Sequence, residues 1–444
     1  MNFNDIGLYA PTTSETYLEN ALKVAEWIDK YSVKKEIGKS WQLSSGEGSS
    51  EGDNLAQKLT DRTIYSGAAG IGYFYIQLYE ITKDEKYLKE ALEAGEYILS
   101  TFDEELGKKP GIHTGLAGEG LYAELLYKKT GNQKYRDYAI KAGETVYSQA
   151  ERTPDGIHWY AIPDYMGDAS VIAYWIYLAD ITGDKKYLSY AKEALDYIVS
   201  LHLTDDDGLI YWKFLDLNNY FPELPKGGIV ANFAHGTSGI VYLLTKYYSA
   251  TKDEEYLKIA ESAYKFLTKI AVQDDESAIV PYIYFKDHDP FDVFYLSMCH
   301  GPVGTGIVSK ALYRATGNDF YLNYYKKFTN ALIKAGVPNR SKGYWNDCIC
   351  CGSSGVLLQF IDAYITTSNL TYKKKATEVA NKLISDAFKD KNGTRWYNAW
   401  TRVIPWNVDA HIGLYIGAAG SASTLLSLYA LHKGIEITNI YEFL

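Results

Sequence analysis

The chain has 444 residues, of which 47% are hydrophobic and 23% are charged, with only 11 prolines and 37 glycines. This composition excludes a largely disordered, collagen-like or low-complexity chain. The formal net charge of −10, without any cluster of Lys and Arg that could follow a phosphate backbone, argues against nucleic acid as a partner.

The N-terminal segment has no feature of a secretion signal. Residues 1–20 contain no basic stretch followed by an apolar one, and nowhere do 18 apolar residues follow one another. We therefore expect a cytoplasmic protein. All four cysteines fall between positions 299 and 351, whereas a disulfide framework would staple distant loops. In a reducing compartment, this clustering indicates metal or thiol chemistry.

Beyond residue 55 the sequence repeats one unit. A G-x-x-G motif occurs six times. A second motif, similar to T-K-D-x-x-Y-L, also recurs, and in five copies its tyrosine lies 20 residues after the first glycine of a G-x-x-G motif. A sixth tyrosine, Tyr187, predicts a further glycine, and Gly167 is present there, although Ser170 replaces the second glycine. The seven first glycines are Gly67, Gly115, Gly167, Gly236, Gly301, Gly352 and Gly417, and the tyrosines are Tyr87, Tyr135, Tyr187, Tyr256, Tyr321 and Tyr372.

Each unit has the pattern of two helices. An apolar run follows the glycines, then comes a turn whose Asp or Asn can cap the next helix, and the second helix is amphipathic. The sequence therefore predicts an all-α fold, an α/α toroid of seven helical hairpins whose inner helices start at the G-x-x-G motifs. We expect a single domain, 1–444, in which residues 1–55 form an N-terminal helical extension that closes the ring and residues 56–444 form the seven-fold repeat.

The residues just before each first glycine should converge at one end of such a ring. Three cysteines occupy this register: Cys299, Cys350 and Cys351. Three soft ligands with a vacant fourth position are typical of a catalytic zinc site. Two alternatives remain. In the first, a fourth ligand, Cys348 or His300, completes a closed structural site; in the second, the cysteines are reduced core residues without a metal.

His235 stands in the same register as Cys351, directly before its glycine, and is a candidate for proton transfer. Asp164 could pair with this imidazole and raise its pKa, and Asp168 is an alternative for that role. The simpler interpretations are that His235 has a structural role and that the aspartate caps a helix. His113 and His411 also lie near this end, and we expect them to be structural or to contact substrate.

The ordered motifs AHGTSG, CHGPVG and CCGSSG in a seven-fold toroid resemble the lanthionine synthetase C (LanC) family of zinc-dependent lanthipeptide cyclases. The resemblance covers essentially residues 60 to 430. The family typically has Cys-His-Gly in its second metal motif, whereas this chain has Cys350-Cys351-Gly352. That departure is similar to the three-cysteine variants among the cyclase domains of fused lanthipeptide synthetases.

The resemblance implies Michael-type addition of a peptide cysteine thiol to dehydroalanine or dehydrobutyrine, which forms a thioether ring. Zinc on Cys299, Cys350 and Cys351 would ionise the substrate thiol, while His235 protonates the enolate and Asp164 holds the imidazole. The implied partners are a dehydrated precursor peptide, a separate dehydratase, for which the chain has no room, and a membrane-associated transporter complex. Three alternatives remain: a LanC-like enzyme that adds glutathione or another free thiol to dehydroamino acids in proteins, a non-catalytic zinc-stabilised peptide-binding toroid, and an α/α barrel active on sugars.

Overall fold

The computed structural model describes residues 13–47, 61–102, 109–159, 162–219, 222, 224–287, 295–339, 346–399 and 406–439. These residues form 14 α-helices, and none of the helices among them is long and apolar enough to cross a membrane. In chain order the helices are α1 (Ser14–Asp29), α2 (Ala68–Thr82), α3 (Glu85–Ser100), α4 (Leu116–Thr130), α5 (Gln133–Ser148), α6 (Val171–Thr182), α7 (Lys186–Ser200), α8 (Thr237–Thr251), α9 (Glu254–Ile270), α10 (Pro302–Thr316), α11 (Asp319–Lys334), α12 (Ser353–Thr367), α13 (Leu370–Asp386) and α14 (Ala418–Lys433).

The helices form two concentric layers that close on themselves. The inner layer consists of the seven even-numbered helices, each of which packs against the next, and α14 returns to pack against α2. The outer layer consists of the odd-numbered helices, which pack on the inner helices of their own pairs. This architecture is the α/α toroid that the repeats predict.

The seventh pair differs from the other six. Helices α2 to α13 form six hairpins between consecutive helices, but α14 has no outer helix after it, and α1 packs against it instead. Helix α1 buries Val24, Trp27 and Ile28 completely. The first and the last of the described helices therefore form one pair, and this contact completes the ring.

All six hairpins use the predicted cap. The side chain of Asp84, Asn132, Asp184, Asp253, Asn318 or Asn369 accepts a hydrogen bond from the backbone N–H two residues later, at the start of the outer helix. In the third unit α6 begins at Val171 rather than directly after Gly167, and Ser170 lies in the position of the N-cap. The degenerate copy therefore still forms a helix pair, with a shorter inner helix.

The repeated tyrosines join neighbouring hairpins. All six are buried at the start of an outer helix. The hydroxyl of Tyr135 donates to Glu96 at 2.6 Å, that of Tyr321 to Glu261 at 2.9 Å, and that of Tyr256 to Asp196, in each case on the preceding outer helix. A phenol suits this position because its ring packs between hairpins while its hydroxyl reaches a polar partner.

Short antiparallel hairpins follow most outer helices. They are β1 (Ser32–Lys34) with β2 (Lys39–Trp41), β3 (Glu151–Thr153) with β4 (Gly156–His158), β5 (Leu203–Thr204) with β6 (Ile210–Tyr211), β7 (Val272–Gln273) with β8 (Ala278–Ile279), and β9 (Phe388–Asp390) with β10 (Gly393–Arg395); β11 (Asn398–Ala399) pairs with β12 (Val408–Asp409) nearer to α14. Trp159, Trp212 and Trp396 each follow the second strand and donate the indole N–H to a carbonyl of the preceding outer helix. This tryptophan is a second repeat mark, which the sequence analysis did not find.

Candidate metal centre

The glycine motif folds the loop before each inner helix back onto the start of that helix. A Cβ atom at Gly304 would lie 2.3 Å from the carbonyl oxygen of Met298, and one at Gly355 would lie 2.3 Å from that of Ile349. Real Cβ atoms never approach a backbone oxygen so closely, and only glycine fits here. Because the loop is tightly folded in each unit, the residues just before the first glycine occupy equivalent places around the ring axis.

Backbone hydrogen bonds connect these loops around the axis. The N–H of a residue one or two positions before the first glycine donates to the carbonyl of its counterpart in the next loop, at 2.8 to 3.3 Å. The bonds run from Met166 to Ala234, Ala234 to Cys299, Cys299 to Cys350, Cys350 to Tyr415, Tyr415 to Tyr65 and Tyr65 to His113. Two of the three predicted metal ligands are members of this chain, so their backbone positions are set by both neighbouring loops.

The structure brings the three predicted ligands together. The sulfur atoms of Cys299, Cys350 and Cys351 all lie within 4.8 Å of one another, and Cys351 Sγ is 3.3 Å from Cys299 Sγ and 3.5 Å from Cys350 Sγ. Cys299 and Cys350 are buried, whereas Cys351 is half-buried. We call these residues the cysteine trio. Among the described residues, it is the one group of three His, Cys, Asp or Glu side chains with this spacing.

The two alternative ligands lie beside the trio. Cys348 is buried, and its sulfur accepts a hydrogen bond from the backbone N–H of Cys351 at 3.4 Å. The ring of His300 lies among aromatic rings, 4.6 Å from that of Tyr282 and 5.5 Å from that of His235. In this arrangement Cys348 supports the loop that carries Cys350 and Cys351, and His300 packs against aromatic rings.

The hydrogen bonds within the trio shift the pKa values of its thiols in opposite directions. Hydrogen bonds from Cys299 and Cys351, together with one from the Tyr65 hydroxyl, lower the pKa of Cys350 well below its usual value. The pKa of Cys299 is raised, chiefly by its hydrogen bond to Cys350, and that of Cys351 by its bond to Cys299. These hydrogen bonds favour a thiolate at Cys350, and the thiolate is the form that binds metal ions.

His235 and Asp164 form a charge-assisted pair at the same end of the ring. His235 Nδ1 lies 2.8 Å from Asp164 Oδ2, and the other carboxylate oxygen accepts from the Gly167 N–H at 2.7 Å. Asp164 is buried, while about a third of the His235 side chain, 32%, is exposed. Burial lowers the pKa of His235, but the hydrogen bond and charge of Asp164 outweigh this effect, and the pKa is raised above its ordinary value. Charge on Cys350 acts in the same direction.

The remaining acids and histidines near this end are buried. Asp168 is 3% exposed and makes no hydrogen bond to His235, so that Asp164 is the partner of the imidazole. His113 is fully buried, and its ring makes edge contacts with the rings of Tyr165 and Tyr415 at 5.5 and 5.0 Å. Burial lowers the pKa of His113 to about 4, which keeps this imidazole neutral at physiological pH.

Three residues near the trio were not singled out in the sequence. Tyr65 donates to Cys350 and stacks on Tyr415 at 5.3 Å, and the Tyr415 carbonyl accepts from the Cys350 N–H. The Ser297 hydroxyl contacts the carbonyls of Ile349 and Gly352 at 3.1 and 3.2 Å, which ties the loop of one cysteine to that of the others. For the tyrosines a signal existed, because both stand two residues before a first glycine, as do Cys299 and Cys350.

The donor set fits zinc. Bonds of about 2.3 Å to tetrahedral Zn²⁺ place thiolate sulfurs roughly 3.8 Å apart, close to the separations within the trio. Three thiolates with no fourth cysteine among them leave room for an exogenous ligand, and Cys351 and His235 are both partly exposed to solvent. The arrangement could therefore present a thiol to an electrophile while an imidazolium stands nearby.

Comparisons with known proteins agree with this architecture. Nisin cyclase has a similar structure, with a TM-score of 0.67 and 15% sequence identity over 95% of each chain. A protein from Listeria innocua gives a TM-score of 0.50 at 14% identity, over 94% of this chain and 97% of that one. An unsaturated glucuronyl hydrolase from a Bacillus species gives 0.50 at 15% identity, over 95% and 98%. At these identities the likeness concerns the fold.

No curated protein sequence matches the chain significantly. A family model does: the one described as lanthionine synthetase C-like protein matches residues 58–434, which include all seven glycine motifs and the cysteine trio. The chain therefore belongs to the lanthionine synthetase C-like protein family.

Proposed function

We propose that the protein is a zinc-dependent cyclase that adds cysteine thiols of a dehydrated peptide to dehydroalanine or dehydrobutyrine. The observation that carries this proposal is the cysteine trio beside a histidine whose charge a buried carboxylate supports. The fold alone does not select this chemistry, since a glucuronyl hydrolase has a similar one. Family membership and the trio together favour thiol addition over a reaction on sugars.

The trio would hold the metal through three thiolates. When bound, Zn²⁺ would lower the pKa of a substrate thiol and so provide a thiolate at neutral pH. The hydrogen bonds around Cys350 prepare the trio for this role, because they stabilise one thiolate before any ligand arrives. The backbone bonds from Cys299 to Cys350 and from Cys350 to Tyr415 hold the ligand loops at a fixed distance.

His235 would supply the proton that the addition requires. The sulfur–carbon bond forms at the β-carbon as the carbon–carbon double bond breaks, and the resulting enolate takes up one proton at its α-carbon. The thiol has lost one proton to solvent, so the reaction is balanced. Asp164 keeps the imidazole charged and oriented through its 2.8 Å contact with Nδ1, which leaves Nε2 as the atom that donates.

The proposed chemistry requires partners. The substrate is a precursor peptide in which a separate dehydratase has already converted Ser or Thr to dehydroamino acids. A membrane-associated transporter complex is the proposed destination of the product, and the reaction is proposed to take place in the cytoplasm. The exposed edge of His235 and the half-buried Cys351 mark the side from which the peptide would approach.

Metal content is the first test. The wild-type protein should bind one zinc per chain, and Cys299→Ala should lose most of it, as measured by elemental analysis after dialysis. Cys348→Ala is the matched control, because this cysteine is equally buried but lies outside the trio. Retention of one zinc by Cys299→Ala would contradict the assignment of the trio, and loss of zinc in Cys348→Ala would indicate a closed four-cysteine site.

Thiol consumption is the second part of this test. A dehydrated peptide with a free cysteine should lose its reactivity toward an alkylating agent without a change in mass, since addition within one molecule conserves its atoms. Glutathione added to a cysteine-free dehydrated peptide distinguishes the alternative substrate, because its product gains the mass of one glutathione. If zinc is bound and neither reaction occurs across a panel of dehydrated peptides, the toroid is a binding protein and the proposal is wrong.

A further inference from the structure

A cavity lies inside the ring at the end opposite to the cysteine trio. It has a volume of about 360 Å³ and lies among the inner helices α8, α10 and α12. Tyr242, which lines it, stands six residues after Gly236, so a rise of 1.5 Å per residue places it about 9 Å along α8 from the loops of the trio. Its ring packs against those of Tyr165 and Phe233 at 5.8 and 5.7 Å. These aromatic rings lie between the cavity and the loops that carry the trio.

Basic side chains dominate the wall of this cavity. Lys246, Lys310 and Arg314 line it, with Asp362 as the one carboxylate among its lining residues. Lys310 pairs with Asp362. Among the described residues no carboxylate pairs with Lys246, whose ammonium lies 5.3 Å from the ring centre of Tyr242, or with Arg314. Within the described part of the chain, two cations without an ion-paired carboxylate thus share one cavity, although the net charge of the chain is −10.

The helix dipole explains the position of only one of these two cations. Arg314 lies in the last turn of α10, where a cation complements the free carbonyls. Lys246 precedes the end of α8 by five residues and lies outside its last turn. Lys246 is half-buried and Arg314 is exposed, so both cations can be reached by an anion from solvent. A second cavity of about 690 Å³ shares Lys246 and is also lined by Lys128, Lys185 and Asp180.

The rest of the wall is apolar or aromatic. Ile307 and Ala311 line the cavity beside the Tyr242 ring, and the buried Tyr242 hydroxyl has no hydrogen-bond partner among the residues that the structure describes. An anion with a compact apolar body would match both parts of the wall. An arginine fork and an ammonium group together favour a phosphate group, which can accept bonds from both.

We propose that this cavity, between Lys246 and Arg314 and against the ring of Tyr242, binds a small organic phosphate monoester. The phosphate group would lie between the two cations, and the organic body would contact Ile307, Ala311 and Tyr242. The site is separate from the trio, and its existence does not depend on the proposed cyclase activity.

Calorimetric titration of the full-length, zinc-loaded protein with phenyl phosphate tests the proposal. We expect saturable binding of one equivalent, weaker binding of inorganic phosphate and none of phenol. Lys246→Gln and Arg314→Gln should each weaken the binding at least about tenfold, which is typical of the loss of one charge-assisted hydrogen bond. Lys246→Arg, which keeps the charge, should remain within about threefold of wild type.

Two controls separate this cavity from other sites. Lys258→Gln removes an exposed charge on the outer helix α9 and should not change the affinity. Cys299→Ala should also bind phenyl phosphate normally, because the trio lies at the other end of the ring. Absence of saturable binding to wild type, equal affinities in wild type and the two glutamine variants, or loss of binding in Cys299→Ala would each overturn the proposal. Circular dichroism establishes that every variant is folded.

Discussion

The pair formed by His235 and Asp164 shows how one carboxylate can set the charge of a histidine. The imidazole is placed where burial would favour its neutral form, and Asp164 reverses that preference. Asp164 can do so because it is itself buried and held by the Gly167 N–H, so its charge is little screened by water. In the proposed reaction the protonated imidazole is the active form, and it exists below the pKa of His235.

Replacement of Asp164 by Asn should therefore shift the pH dependence of thioether formation. Asn keeps the acceptor for the Gly167 N–H but removes the charge, so the pKa of His235 falls and the protonated form is lost at lower pH. The alkaline limb of the rate profile should move to lower pH, and the rate above neutrality should fall by about 10²-fold or more. Measurement of rate against pH, with the His235 ring titrated by NMR, checks both effects.

Asp168→Asn is the matched control for this prediction. Asp168 is a neighbouring buried carboxylate that makes no hydrogen bond to His235. Its removal should leave the alkaline limb where it is in wild type. An unchanged limb in Asp164→Asn, or an equal shift in both variants, would show that Asp164 does not act through the imidazole.

At the scale of the element, the unit is a loop, an inner helix and an outer helix. Its glycines serve a steric purpose: the second glycine gives space to a backbone carbonyl six residues earlier, and this contact shapes the loop that carries the cysteines. The backbone at the first glycine is extended, with φ of −134° at Gly301. Glycine is therefore required there by the close approach of other backbone atoms and not by a left-handed conformation.

Gly304→Ala should destabilise the protein and displace Cys299. The new Cβ would lie 2.3 Å from the carbonyl oxygen of Met298, and because both atoms belong to backbone, the loop must move. Overpacking of this kind costs about 1–3 kcal/mol of the free energy of unfolding, even though alanine favours helix more than glycine does. Denaturant unfolding measures the cost, and zinc affinity reports the displacement of the cysteine.

Gly95→Ala offers a control of the same chemical change. Its Cβ would meet the end of the flexible Leu126 side chain, at 2.3 Å, rather than backbone. That side chain can turn away, so the free energy of unfolding should change by less than about 1 kcal/mol and zinc affinity should be unaffected. A similar loss in both variants would contradict the role assigned to the carbonyl contact.

At the scale of the whole molecule, closure of the ring distinguishes this fold from an open solenoid. An open array would end in two exposed helix faces, whereas here α1 covers α14 and α14 packs against α2. Because each inner helix has two inner neighbours, loss of one pair exposes apolar surface on both sides. We therefore expect the ring to unfold as one cooperative unit.

Ile28→Ala tests this cooperativity at the contact between α1 and α14, which closes the ring. Ile28 is fully buried on α1, and its truncation should cost about 2–4 kcal/mol. Amide hydrogen exchange should speed up in α8, across the ring, as much as in α1 and α14. Ile37→Ala is the control, since that side chain is 52% exposed and should change little. Faster exchange confined to α1 and α14 would contradict cooperative closure.

Sequence by itself determined the number of units, six of the helix pairs, the caps and the register that brings three cysteines to one end. Each of these follows from local rules: glycine where backbone approaches backbone, Asp or Asn at a helix start, and one period along the chain. Contacts between units were decided only by the tertiary structure. The backbone bonds that join the loops, Tyr65 beside Cys350, the union of α1 with α14 and the cations of the opposite cavity all depend on residues far apart in the chain. The contact of α1 with α14 and the grouping of the cavity cations leave no periodic signal in the sequence. Tyr65 and the backbone bonds do follow the glycine register, but the neighbouring units decide which residues they contact.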